Sequence, residues 1–97
     1  MCRIFAGQDP RRYAPETRRL RLNGQSTSLR LEAAFWDILD AIAAGQGMST
    51  PAFISRVHDE VLEEHGEAQN FSSLLRCSCL IHLAGSVPVE TARMAAE

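Results

Sequence analysis

Arginine is the residue type with the clearest chemical pattern in this chain. Positions 1–32 hold seven arginines and three acids, a net charge of +4, whereas positions 33–97 hold three arginines and nine acids, a net charge of −6. A guanidinium group is planar and can donate in parallel to a phosphate or to the edge of a guanine base. This asymmetry is typical of a chain in which one segment faces a polyanion. Arg18, Arg19 and Arg21 are therefore candidates for phosphate contacts, and an ordinary charged arm is the alternative.

The cysteines invite a metal or redox interpretation, which their spacing does not favour. Cys2, Cys77 and Cys79 are an odd number, so we expect reduced thiols rather than structural disulfides. Residues on a helix advance by about 100° each, so the sulfurs of Cys77 and Cys79 would lie about 200° apart. One helix cannot easily present both to the same ion. We expect the pair to pack in the core as small apolar side chains, and we expect no metal site.

A catalytic site is also not expected. The chain has no glycine-rich phosphate loop and no nucleophile with an evident base beside it. The acidic pairs Asp37 with Asp40 and Asp59 with Glu60 are explained as solvated helix faces. We predict that the protein is not an enzyme and needs no cofactor.

The elements that must position the arginines are a strand and three helices. Apolar Leu29 and Leu31 alternate with polar residues, which predicts a strand leading up to position 32. Helical spacing then predicts helices over 33–46, over about 50–65 after an N-cap at Ser49, and over 71–83 after a cap at Asn70. The first helix should bury Phe35, Ile38, Leu39 and Ile42, with Trp36 widening that face, and the third is apolar over much of its circumference.

A second strand is an open alternative. Arg19, Leu20, Arg21 and Leu22 alternate before Asn23-Gly24, and this dipeptide is a strong signal for a hairpin turn. The register that follows would set Leu22 opposite Gln25 and Leu20 opposite Thr27. Because it pairs apolar with polar residues, we favour an irregular arm instead.

A single strand cannot satisfy its own edges, so it is expected to pair with its copy in a second chain. The predicted fold class is mainly α with one short strand paired antiparallel across a homodimer, plus a C-terminal helix. The predicted organisation is an arginine-rich arm over 1–24, a domain over 25–84 and a flexible tail over 85–97.

The strand TSLRLE, the helix FWDILDAIAAGQG and the turn GMSTP together resemble the ribbon-helix-helix family of DNA-binding proteins. The resemblance covers residues 26–65, and the opening MCRIFAGQDP with ETRRLRLNG is similar to small bacterial proteins built around this domain. It implies a dimeric two-stranded ribbon that enters the major groove. Outward base-reading residues would be Ser26, Ser28 and Arg30, and the start of the second helix, at Ser49 and Thr50, would hold a backbone phosphate.

The function expected from this resemblance is a transcriptional regulator, a repressor, with DNA and a second copy of the chain as partners. The alternative is a protein-interaction module of the antitoxin type that binds a partner protein through its helices. No apolar run approaches the length of a membrane span, and the first residues do not resemble a signal peptide, so we predict a cytoplasmic protein with no membrane partner.

Overall fold

The computed structural model describes residues 2–85, which form a β-hairpin and five helices. In chain order these are α1 (Cys2–Ala6), α2 (Pro10–Tyr13), β1 (Pro15–Leu22), β2 (Gln25–Glu32), α3 (Ala33–Gly45), α4 (Thr50–His65) and α5 (Phe71–Ala84). The tail predicted over 85–97 lies outside the described residues except for Gly85.

The prediction of a single strand in the chain was wrong. β1 and β2 form an antiparallel hairpin within the chain, in the register that sets Leu22 opposite Gln25 and Leu20 opposite Thr27. Asn23 and Gly24 have φ of 51° and 79°. Two positive φ values in a two-residue loop match the right-handed twist of the strands, which is why this dipeptide closes hairpins. Residues 15–24, predicted as part of an arm, are therefore half of the sheet.

The mismatched register is tolerated because the two leucines of β1 pack on helices rather than on their cross-strand neighbours. Leu20 and Leu22 are each 5% exposed, and α4 packs across β1. Thr27 is half-buried and Gln25 is exposed at the turn end. The free energy gained by burying leucine against helices outweighs the weak preference for like pairs across the strands.

The three long helices begin and end close to the predicted residues. Ser49 caps α4 as predicted, since its Oγ accepts from the Ala52 amide at 3.3 Å. Gly66, at φ 78°, closes the same helix in the left-handed conformation. Asn70 immediately precedes α5 as predicted. Its backbone is left-handed, with a φ of 52°, and its side chain makes no capping hydrogen bond. Asn70 therefore provides the left-handed residue of the turn before α5 and does not cap the helix through its side chain.

The core lies between the inner face of the hairpin and α3, α4 and α5. The face that α3 buries is rotated from the predicted one: Trp36, Leu39 and Ala43 are 0% exposed, whereas Phe35, Ile38 and Ile42 lie partly buried beside them. The rotation brings the largest side chain of the helix under the sheet. The other buried residues are Leu20, Leu22, Leu29, Leu31, Phe53, Ile54, Phe71, Leu75 and Cys79.

The cysteines of α5 separate as their spacing requires. Cys79 is buried, its thiol donates to the Phe35 carbonyl at 3.7 Å, and burial raises its pKa. Cys77 is exposed, so core packing was correct for one of the two residues. Within residues 2–85 there is no group of three or more His, Cys, Asp or Glu side chains placed to hold a metal ion.

The segment before β1 contains two short helices rather than irregular chain. Asp9 begins α2 by accepting from the Arg11 amide at 3.0 Å, and its carboxylate also pairs with the Arg11 guanidinium. Those contacts lower the pKa of Asp9. None of the helices between residues 2 and 85 combines the length and apolarity that a membrane crossing needs.

Candidate nucleic-acid interface

The outer face of the hairpin gathers most of the predicted DNA-contacting side chains. Residues opposite one another in an antiparallel pair lie on the same face of the sheet. The pairs Thr17 with Arg30, Arg19 with Ser28 and Arg21 with Ser26 therefore share the face away from the helices, and all six residues are exposed. We call these six residues the outer ribbon face.

The outer ribbon face is strongly positive. Arg19, Arg21 and Arg30 are its charged residues, and none of them forms an ion pair with an acid in the described range 2–85. Alternate residues of a strand lie roughly 7 Å apart and opposite residues roughly 5 Å apart, so the three side chains arise from a small area. Their guanidinium groups, beside two serine hydroxyls, provide donors for phosphate oxygens and for base edges.

Arg18, which the sequence placed among the phosphate contacts, faces the other way. It alternates with Leu20 and Leu22 and so points inward, where its Nη1 and Nη2 donate to the Asp40 carboxylate of α3 at 2.8 and 3.1 Å. Its Nε donates to Glu16 at 2.7 Å. Nε, Nη1 and Nη2 of Arg18 thus all donate to carboxylates of its own chain.

The Asp40 carboxylate joins three elements. It accepts from Arg18 of β1 and, at 2.6 Å, from the Thr50 hydroxyl at the start of α4. The Arg18 guanidinium also lies 4.4 Å from the centre of the Trp36 ring, whose Nε1 donates to the Glu16 carbonyl at 2.8 Å. The ribbon is thereby held to both α3 and the first turn of α4.

The charged forms of Arg18 and Asp40 stabilise each other. The hydrogen bond from Arg18, assisted by that from Thr50, lowers the pKa of Asp40 against the opposing effect of partial burial. The same contact with Asp40 raises the pKa of Arg18. Both groups are therefore ionised at neutral pH.

A second ion pair holds the same open end of the hairpin on the β2 side, since Glu32 lies opposite Pro15. Arg76 of α5 donates to Glu32 at 2.9 Å, which lowers the pKa of Glu32, and the Arg76 guanidinium lies 5.8 Å from the Phe35 ring centre. The extra helix beyond the two-helix unit thus helps to hold the end of β2. The sequence had left its role unassigned.

The start of α4, predicted to hold a phosphate at Ser49 and Thr50, offers few free backbone donors. The Ala52 amide donates to the Ser49 hydroxyl and the Phe53 amide to the Ser49 carbonyl, while Pro51 has no amide hydrogen. Within residues 2–85 this leaves the Thr50 amide as the open backbone donor of the first turn. The Thr50 side chain is already engaged with Asp40.

The family of this chain follows from its similarity to known protein families. The family described as "Ribbon-helix-helix domain" matches residues 15–83. The chain belongs to the ribbon-helix-helix family. The match includes β1 and almost all of α5, so the hairpin and the third long helix are parts of this domain rather than additions to it. Ribbon-helix-helix domains are generally DNA-binding regulators.

A solved structure shares the whole arrangement. The chain is 40% identical to an uncharacterized protein from Bordetella pertussis Tohama I, with a TM-score of 0.84. The likeness covers 94% of this chain and 81% of that one. No curated protein matches the chain. The arrangement of the chain is thus shared with a solved protein, and the family itself rests on the match over residues 15–83.

Sequence reasoning missed residues that connect β1 to α3 and α4. Asp40 was interpreted as part of a solvated face, and Glu16 was not singled out. A signal was present: Asp40 follows Trp36 by one helical turn, and Arg18 alternates with two leucines. Once β1 is recognised as a strand, its Arg18 must share the inner face with them.

Proposed function

We propose that this ribbon-helix-helix protein is a sequence-specific DNA-binding transcriptional regulator, a repressor, whose ribbon reads the major groove. The observation that carries the proposal is the outer ribbon face, where three arginines without an acidic partner in residues 2–85 stand beside two serines. The major groove, about 12 Å wide, admits a two-stranded ribbon and displays a distinct donor and acceptor pattern for each base pair. Such a protein would act in the cytoplasm, where the chromosome lies.

Base reading is assigned to Ser26, Ser28 and Arg30 of β2. Arg30 can donate to O6 and N7 of guanine together, a contact worth about 1–3 kcal/mol of discrimination against another base. The serine hydroxyls can donate or accept hydrogen bonds, so they can contact several different bases. The three residues alternate along β2, so their side chains all extend from the outer ribbon face.

Phosphate contacts are assigned chiefly to Arg19 and Arg21 of β1. They flank β2 on the same face, where a guanidinium reaches the wall of the groove rather than its floor. The Thr50 amide beside the Ser49 cap can add one donor at the positive end of α4. Asp40 accepts from the hydroxyl of the same Thr50, and its charge is balanced by Arg18.

We further propose that the protein acts as a homodimer joined at β2. In the described part of the chain each strand pairs only with the other, so the outer edge of β2 has no strand partner. Antiparallel pairing with the partner's β2 gives a four-stranded sheet with the two β2 strands at its centre. Three strand spacings of about 4.8 Å set the two β1 strands about 14 Å apart, close to the groove width, so their arginines face the phosphates on both sides.

The test of DNA reading is a selection of bound fragments from the source genome, followed by a salt titration of the recovered site. We expect a recurring inverted repeat, and we expect Arg30→Ala to relax the preference at one base pair in each half-site with a loss of about 1–3 kcal/mol. Arg56→Ala is the matched control, since it removes an exposed arginine from α4 and leaves the outer ribbon face intact. Recovery of random fragments, bound equally by all three proteins, would contradict the proposal.

A second candidate function is a protein-interaction module of the antitoxin type. The observation that favours it is the exposed apolar surface of α5, where Leu80, Ile81 and Leu83 are 53%, 43% and 66% exposed. Such a patch can bind a protein partner. Association that persists at high salt and is lost in Leu80→Ser would favour this function, whereas binding that weakens steeply with salt favours DNA.

A further inference from the structure

The side of α5 that faces away from the core is an exposed helix surface. Cys79 marks the side that faces α3, since its thiol donates to the Phe35 carbonyl. Residues of a helix advance by about 100° each, so the side opposite Cys79 consists of residues in two adjacent rows, each with a spacing of four. These exposed residues, which we call the outer α5 face, are Cys77, Ile81, Leu80 and Ala84.

The outer α5 face carries no charge. α5 contains no acidic residue and no lysine, and its one arginine, Arg76, is paired with Glu32. A two-fold contact brings the same surface patch of two copies together, so like charges on the patch would repel each other. Two copies of this chain can therefore meet through the outer α5 face without repulsion. The exposed side of α4 could not, because it carries Asp59, Glu60, Glu63 and Glu64.

α5 is also the helix on the side of the free edge of β2. α4 packs on β1, α5 packs on β2, and α3 lies between the two helices in contact with both strands. Antiparallel pairing of β2 with a second β2 keeps both outer ribbon faces on one side of the sheet and both sets of helices on the other. The helices then follow in the order α4, α3, α5 in one copy and α5, α3, α4 in the next. The outer α5 face, opposite α3, is directed toward the second copy.

Strand pairing by itself would bury little additional apolar surface. The inner leucines of β2, Leu29 and Leu31, are already buried beneath the hairpin of their own chain. The outer ribbon face is composed of arginine, serine and threonine. A stable interface buries about 800 Å² on each partner, so the β2 edge needs a contribution from the helices. Leu80 and Ile81 provide exposed apolar surface on the helix that packs against β2.

We propose that the outer α5 face packs against the outer α5 face of a second copy of this chain, beneath the paired β2 strands. The inference rests on the homodimer proposed above and extends its interface into the helices. Cys77 and Ala84 are small and allow a close approach of the two helices, while Leu80 and Ile81 supply apolar contacts. The contact lies on the opposite side of the sheet from the outer ribbon face, so that face stays free for DNA.

The first test is the rate at which iodoacetamide alkylates Cys77, measured by mass spectrometry of the peptides. Cys77 is exposed in the single chain, so packing of two outer α5 faces should protect it. When nine-tenths of the chains are dimeric, mass action makes labelling of Cys77 about tenfold slower than in the Ser28→Pro monomer. Cys2, exposed on α1, is the internal control and should be labelled at the same rate in both proteins.

The second test places a charge on the outer α5 face. Ile81→Glu should reduce the mass in light scattering at micromolar concentration from two chains to one, because the carboxylate would be buried at the contact. Ile4→Glu is the matched control, the same change at an exposed isoleucine of α1, and should leave the dimer intact. Leu80→Glu, at a more exposed position of α5, is the second variant, and circular dichroism shows that each variant folds.

The two tests separate the helix contact from the strand contact. The proposal is overturned if Cys77 in a native dimer is labelled as fast as in the Ser28→Pro monomer. It is also overturned if folded Ile81→Glu and Leu80→Glu remain dimeric. Loss of the dimer in Ser28→Pro alone would then leave the β2 pairing in place without α5. A native monomer would contradict both contacts, and neither test depends on the binding of DNA.

Discussion

Two neighbouring arginines of β1 illustrate how a single strand position decides the role of a residue. Arg18 points inward and binds Asp40 and Glu16 above the Trp36 ring, whereas Arg19 points outward and is exposed. Their side chains are chemically identical. Because strand side chains alternate between faces, Arg18 stabilises the fold and Arg19 lies on the face of the proposed DNA interface.

Arg18→Ala should destabilise the fold and Arg19→Ala should not. Arg18 and Asp40 are 32% and 43% exposed, so solvent screens their ion pair and limits its contribution. With the contact over Trp36 added, we expect Arg18→Ala to lower the free energy of unfolding by about 1–2 kcal/mol. Urea denaturation measures this, and Arg19→Ala, as the matched control, should stay within about 0.5 kcal/mol of the native protein. Equal losses in both variants would contradict the assignment of the two faces.

Asp40 should make stability depend on pH in the acid range. Its pKa is lowered in the folded chain, so its contribution is fully present above its ordinary pKa of 3.8 and is lost as the pH falls through the folded value. Asp40→Asn should therefore cost about 1 kcal/mol near neutral pH, and the difference from the native protein should shrink in strong acid. Asp37→Asn, an exposed change on the same helix, is the control. A difference that is constant with pH would show that the charge of Asp40 is not responsible.

At the scale of elements, the hairpin turn is the feature on which the whole sheet depends. Gly24 has φ of 79°, and no heavy atom of the described residues lies within 4 Å of a Cβ added there, so any cost of substitution is backbone strain. The Asn23-Gly24 signal was visible in the sequence. It was outweighed by a pairing argument that considered only the two strands and not the helices beneath them.

Gly24→Ala should lower the free energy of unfolding by about 1 kcal/mol, because alanine avoids the left-handed region. Gly45→Ala is the matched control, since Gly45 is the last residue of α3, also has open space around a Cβ and needs no positive φ. It should be neutral or stabilising by up to about 1 kcal/mol. Thermal unfolding of both variants measures the difference, and a destabilised Gly45→Ala with an unchanged Gly24→Ala would contradict it.

At the scale of the whole molecule, the hairpin removes the original reason for expecting a dimer. A strand that pairs within its own chain no longer requires a second copy to satisfy one edge. The proposal of a dimer now depends on the free edge of β2 and on the association common among ribbon-helix-helix proteins. A dimer of this kind would have its interface at the free edge of β2.

Light scattering at micromolar concentration should give the mass of two chains, and Ser28→Pro should reduce it to one. The Leu22 and Gln25 pair flanks a two-residue turn and is hydrogen-bonded, so Thr27 donates within the hairpin and Ser28 donates outward. Proline at 28 therefore removes a donor from the free edge and spares the hairpin. Thr27→Pro is the contrasting variant and should disrupt the hairpin, as read by circular dichroism. A native monomer, or a Ser28→Pro dimer, would contradict pairing at β2.

The local features of this protein were determined by the sequence alone. The ends of α3, α4 and α5, the Ser49 cap and the outward alternation of Ser26, Ser28 and Arg30 can be predicted because each depends on residues within a few positions of one another. The ribbon-helix-helix family was likewise recognisable from the strand and the two helices that follow it. These are short-range signals, and they account for the part of the candidate interface that lies on β2.

The tertiary structure alone decided the pairings. Whether β2 joins β1 or another chain depends on how much leucine surface the helices bury beneath β1, a quantity that no local pattern contains. The inward role of Arg18 depends in turn on Asp40, 22 residues away, and on Trp36 coming to lie under the sheet. Contacts of this kind form only when the whole core is assembled, because their free energy comes from packing and shared hydrogen bonds between elements.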